Sequence, residues 1–91
     1  MELKNTIDMM NSSDYKERFK AEYYQTKIRY ERLKAFNTKI EASYRTQHDC
    51  EERVEMPKHD CPYHVLKDQQ KAMGEYLHLL ELRAVIEKIN L

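Results

Sequence analysis

The sequence has a single glycine, Gly74, and only two prolines, Pro57 and Pro62. An all-β domain needs many turns, and so few turn-forming residues argue against one. One glycine also excludes a glycine-rich phosphate loop and a glycine-flanked nucleophile elbow. No apolar run is long enough to span a bilayer and no signal peptide is visible, so the chain is expected to be soluble and cytoplasmic. Its two cysteines, Cys50 and Cys61, are then expected as reduced thiols. Carboxylates are plentiful, but their pattern is that of solvated helix faces. With no catalytic constellation, the chain reads as a non-enzyme that needs no cofactor.

What is present suits helices. Charged residues make up 35% of the 91 residues and hydrophobic ones 41%, a mixture typical of amphipathic helices with solvated outer faces. A chain this short forms one domain with a thin core, and such chains often gain stability by oligomerising. The formal net charge is zero, yet it is unevenly spread. Residues 15–46 carry nine basic side chains against four glutamates, a local excess of +5, whereas residues 47–62 sum to −3. A locally basic helix in a neutral protein suits a compact anionic ligand better than bulk nucleic acid.

Leu3, Ile7 and Met10 follow helical spacing, with Met9 beside them, and predict a short amphipathic helix or arm within residues 1–12. The polar run Asn11-Ser12-Ser13-Asp14 breaks it, and Asp14 with Glu17 resembles a capping box. The hairpin domain then covers residues 13–91. Phe19, Tyr23, Thr26, Tyr30, Leu33, Asn37, Ile40 and Tyr44 alternate steps of four and three, the seam of a helix packed lengthwise on a partner. That helix spans about 14–46 and would be about 48 Å long. Residues 47–62 form a polar connection, and residues 63–90 the return helix. On the return helix Leu66, Gln70, Met73, Leu77, Leu80 and Ala84 make one stripe. Leu79, Leu82, Ile86 and Ile89 make a second on another face. The first stripe meets the long helix; the second is expected to form an interface with another copy of the chain. The expected fold is therefore all-α: an antiparallel long helical hairpin, preceded by a short N-terminal helix, assembling into a homo-oligomeric bundle.

Three groups of residues carry possible chemistry. The connection repeats a tripeptide, His48-Asp49-Cys50 and His59-Asp60-Cys61. Imidazole and thiolate are ligands that zinc prefers, but this spacing matches no common zinc module, and a polar loop is the plainer reading. Five of seven tyrosines fall in the basic helix. Tyr15 and Tyr24, with Arg18, Lys20, Lys27 and Arg29, interleave flat rings that can stack on bases with cations that can hold phosphates. Tyr23 and Tyr30 lie on the seam, where tyrosines are usually core residues with hydroxyls at the rim. Asn37, Gln69 and Gln70 either set the helix register or touch a ligand.

The stretch from Asp14 to Gln25, with Lys27-Ile28-Arg29-Tyr30 and Leu33 after it, resembles a family of small phage and prophage proteins. So does a later block: Cys61-Pro62, Leu66, Gln69, Ala72-Met73, Tyr76-Leu77, Leu80-Glu81 and Arg83-Ala84. Both are similar to the helical hairpin domain of phage anti-CBASS and anti-Thoeris sponge proteins. The resemblance implies a multimer, acting in the bacterial host cytoplasm, that sequesters cyclic nucleotide messengers of bacterial defence without cleaving them. The ligand would be a cyclic dinucleotide, a cyclic trinucleotide or a cyclic ADP-ribose isomer. The connection is longer than the family pattern and carries the His-Asp-Cys units, and residues 1–12 lie outside the resemblance. The rival reading is a non-enzymatic helical adaptor that binds another protein through its apolar stripes.

Overall fold

The long seam in the middle of the chain folds as one uninterrupted helix. In the computed structural model, which describes residues 1–49 and 51–91, a 3-10 turn at Leu3–Asn5 leads into α1 (Thr6–Met10). The long α2 (Tyr15–Arg45) and the return helix α3 (Tyr63–Glu87) follow. All regular structure among the described residues is helical. The two long helices pack as a hairpin, and α1 docks on α2. The molecule measures 55 × 25 × 21 Å, close to the length that 31 residues of α-helix dictate, about 46 Å, plus its ends. Among the described residues no helix is long and apolar enough to cross a membrane.

Helix α2 begins where Asp14 accepts a hydrogen bond from the Lys16 amide at 3.0 Å, satisfying one of the free N–H groups of the first turn. Glu17 does not reach back to complete the expected capping box; it lies 3.7 Å from Lys20 instead. Ser12 supports the entry by accepting from the Asp14 amide, and Arg18 Nη1 donates to the Ser12 carbonyl at 2.8 Å. Pro62 serves as the N-cap of α3, one position before the first helical residue, where its missing N–H costs nothing.

The seam read from the sequence is the packing seam. Phe19, Tyr23 and Ile40 of α2 and Leu77, Leu80 and Ala84 of α3 are buried, with Asn37 among them. At the far end the pattern slips by one residue: Ser43 is buried, and Tyr44 turns outward to pack at 5.8 Å against the Tyr63 ring. Along the rim, phenols of one helix donate to carboxylates of the other: Tyr15 to Glu87 at 2.8 Å, Tyr23 to Glu81 at 2.7 Å, and Tyr76 back to Glu22.

Ile89 departs from the second stripe. Leu79, Leu82 and Ile86 are exposed, as is Val85, but Ile89 is buried in the hairpin core beside Phe19 and Ala84. The cause is the end of α3. Lys88 adopts a left-handed conformation at φ 56, and the Ile89 amide donates to the Ala84 carbonyl at 2.8 Å. This six-to-one closure reverses the chain and swings Ile89 back onto the core. Ile89 therefore does not belong to the outer face.

Candidate functional site

A broad concavity lies between the two long helices, midway along the hairpin. It is an open groove of about 940 Å³. One wall is Tyr30 of α2; the other is the α3 face that carries Lys67, Gln70, Lys71, Gly74 and His78. These α3 positions recur at steps of three and four, so they share one face. Asp68, Glu75 and Leu79 complete the lining.

Gly74 explains how the groove is built. Glycine in a helix interior costs about 1 kcal/mol relative to alanine, so its place in the middle of α3 calls for a compensating contact. That contact is Tyr30: a Cβ on Gly74 would stand 3.3 Å from Tyr30 Cε1 and 3.5 Å from its hydroxyl oxygen. The phenol end of Tyr30 thus rests on bare α3 backbone. Beyond it lies a smaller recess of about 190 Å³ flanked by Tyr23, Lys27, Glu31 and Glu81. Tyr30 and Gly74 border both spaces and form the divide between them.

The six ring-and-cation residues singled out from the sequence do not converge in one chain. Tyr15 and Tyr24, Arg18 and Lys27, and Lys20 and Arg29 are each separated by nine residues, about two and a half helical turns, so each pair points in opposite directions. Several of these side chains have local partners. Tyr15 donates to Glu87 and accepts from Arg83 Nη2 at 2.6 Å, which raises its pKa chiefly through the Glu87 bond. Arg18 holds the Ser12 carbonyl, and Lys20 pairs with Glu17. Tyr24 sits edge-on to Tyr23. Lys27 lies 5.7 Å from the centre of the Tyr23 ring, and Arg29 is exposed. Tyr24 and Lys27 do share a shallow recess of about 430 Å³ with Arg32 and Met1. Lys27 alone of the six also borders the recess behind Tyr30.

Asn37 and Gln70 are bonded to one another across the hairpin, as the register reading expects, and Gln70 also lines the groove. Gln69 is exposed. In the connection, His59 Nδ1 donates to the Pro57 carbonyl at 2.7 Å and its ring meets Phe36 edge-on at 6.1 Å. His48 is exposed, and Cys61 is an exposed free thiol. Cys50 lies outside the described residues. Among the described residues no three His, Cys, Asp or Glu side chains are grouped to hold a metal ion.

A comparison with protein-family models matches the Sequestin family over residues 13–86. The chain belongs to the Sequestin family. The matched span takes in α2, the connection and nearly all of α3, and so includes the whole groove, while α1 falls outside it. This Sequestin chain matches no curated protein and no solved structure. The match agrees with the sponge-protein resemblance read from the two helical blocks.

Proposed function

We propose that this Sequestin-family protein sequesters a cyclic nucleotide messenger of bacterial defence, on behalf of a phage or prophage, and releases it unchanged. The family name speaks of sequestering. The observation that carries the reading is the groove between α2 and α3. At about 940 Å³ it is of the size that holds small ligands, a few hundred to about 1,000 Å³. It offers an aromatic ring, two lysines and several hydrogen-bonding side chains, which are tools of binding by stacking and charge. A cyclic dinucleotide, a cyclic trinucleotide and a cyclic ADP-ribose isomer all carry the rings and phosphates that such a lining fits.

Assembly belongs to the same proposal. Leu79 lies at the groove's edge and also opens the exposed stripe that continues through Leu82 and Ile86. A second copy seated on that stripe would wall the open side of the groove. Of the six α2 residues, Lys27 borders the recess behind Tyr30 and would contact a ligand that extends past that ring; Tyr15 ties α2 to Glu87 and Arg83 of α3, Arg18 holds the chain at the start of α2, and Lys20 pairs with Glu17 within α2.

The test is a thermal-shift and calorimetric screen of cyclic nucleotides, followed by denaturation and analysis of the recovered ligand. Saturable binding with intact recovery is expected. Recovery of breakdown products would make the protein an enzyme. A second reading, a helical adaptor, rests on the exposed Leu79, Leu82, Val85 and Ile86. It takes over if the screen yields no ligand.

A further inference from the structure

We infer that the groove reads its ligand in two parts, with Lys67 and Lys71 seating a phosphate and Tyr30, laid on Gly74, carrying a base; this rests on the sequestering reading above. Lys67 and Lys71 are four residues apart, so their ammonium groups project from the same face one turn apart. Neither forms an ion pair among the described residues, whereas Lys4, Lys20, Arg45 and Arg83 do. Tyr30 differs from the other tyrosines that bridge the hairpin. The hydroxyls of Tyr15, Tyr23 and Tyr76 are each engaged by a glutamate; that of Tyr30 makes no hydrogen bond among the described residues. Its ring edge is fixed by the Gly74 contact and its surface borders open space on either side. A fixed ring open to a groove is a stacking platform, which every nucleobase can use.

The remaining charges narrow the ligand class. Asp68 and Glu75 line the same groove and offset the two lysines, so the groove is no general trap for anions. Carboxylates accept hydrogen bonds from amino and hydroxyl groups. A ligand that satisfies both signs carries phosphate, hydroxyl or amino donors, and a flat ring together, as a nucleotide does. Inorganic phosphate supplies only the first and a free nucleoside lacks it.

Gly74 becomes the positioning residue of this site. An alanine there is a better helix former, but its Cβ pushes Tyr30 away by a few tenths of an ångström. Gly74→Ala should therefore keep or raise the thermal midpoint while weakening binding, a split that a purely structural role would not give.

The experiment is calorimetry on the full chain with cyclic di-AMP, cyclic di-GMP, a cyclic triadenylate and cyclic ADP-ribose, with pyrophosphate and adenosine as partial probes. At least one cyclic nucleotide should bind far more tightly than either partial probe. For that ligand Lys67→Ala, Lys71→Ala and Tyr30→Ala should each weaken binding about tenfold or more, and Arg45→Ala, at the far end of α2, should leave it unchanged. Circular dichroism of each variant separates lost binding from lost folding. Wild-type binding that survives Lys71→Ala and Gly74→Ala intact would place the ligand elsewhere and overturn the two-part site while leaving sequestration standing. Pyrophosphate binding as tightly as the nucleotides would overturn the base platform. No binding by any cyclic nucleotide overturns the sequestering reading and this site with it.

Discussion

Asn37 and Gln70 meet inside the hairpin, where Asn37 Nδ2 donates to Gln70 Oε1 at 2.9 Å and to the Leu66 carbonyl at 3.1 Å. Asn37 is 1% exposed, and its Oδ1 has no partner among the described residues. The pair therefore spends stability on register: any slip of α3 along α2 would leave more buried polar atoms unbonded. Asn37→Ala strands the Gln70 amide oxygen and should cost about 1–3 kcal/mol in urea unfolding. Removing both partners, as Asn37→Leu with Gln70→Leu, should recover most of that loss. A single Asn37→Ala substitution that unfolds at the wild-type midpoint would refute the register role.

Among the described residues Lys88 alone has a positive φ, at 56, and it bears the steric cost that a Cβ incurs in the left-handed region. Glycine removes that cost and suits the position after a helix. Lys88→Gly should raise stability by about 0.5–1 kcal/mol, measured at fixed protein concentration because assembly would also contribute. Ile89→Ala should do the reverse by about 2–4 kcal/mol, since Ile89 is a core side chain that this turn places.

The phenol–carboxylate bonds predict a loss of stability at each end of the pH scale, from different groups. The Tyr15 hydroxyl, and then Arg83, hold Glu87 below its ordinary 4.5. A lowered carboxylate contributes stability above 4.5, and that contribution is lost as pH falls through the folded value. Burial, and then the bond to Glu81, push Tyr23 up to about 12 from an ordinary 10.0. A raised phenol gives its full contribution below pH 10 and loses it as pH rises toward 12. The thermal midpoint should drop on both sides. Tyr15→Phe should flatten the acid limb, and Tyr23→Phe the alkaline limb. Unchanged limbs in these variants would show that other groups set the profile.

The hairpin was legible because its information is periodic. A seam of alternating threes and fours specifies a helix and the face it buries; α2 follows the expected bounds within one residue at each end, and α3 starts as expected and stops three residues early at Glu87. Ile89 escaped because a left-handed lysine has no signature in sequence: its spacing continues the stripe, while the turn at Lys88 returns its side chain to the core. The groove escaped for a different reason. Lys67 and Lys71 sit in a segment whose charges cancel, so summing charge pointed to α2 instead. Gly74 was visible only as a lack of breakers, although a lone mid-helix glycine three and seven positions from two lysines was the available signal. On α2, rings and cations that alternate along the chain look clustered, but the nine-residue spacing sends each pair to opposite sides.

The outer face of α3 sets the last prediction. Val65, Ala72, Leu79 and Ile86 recur every seven residues and all are exposed. Leu82 and Val85 join them toward the C-terminal end, where Val85 is 78% exposed and Ile86 76%. A strict seven-residue repeat is the period of a seam against another helix. Burying such a side chain contributes roughly 1.5–3 kcal/mol, so Leu79, Leu82 and Ile86 together outweigh much of the cost of ordering a second copy. The wild-type chain should therefore sediment as a dimer or a higher multiple at micromolar concentration. Leu82→Arg should shift it toward the single chain without loss of helix content. Because Leu79 also edges the groove, the same substitution should weaken nucleotide binding in proportion to the dissociation it causes, and raising the protein concentration should restore both together. Wild-type protein that sediments as a single chain throughout this range would exclude self-assembly and leave the stripe to a different protein partner.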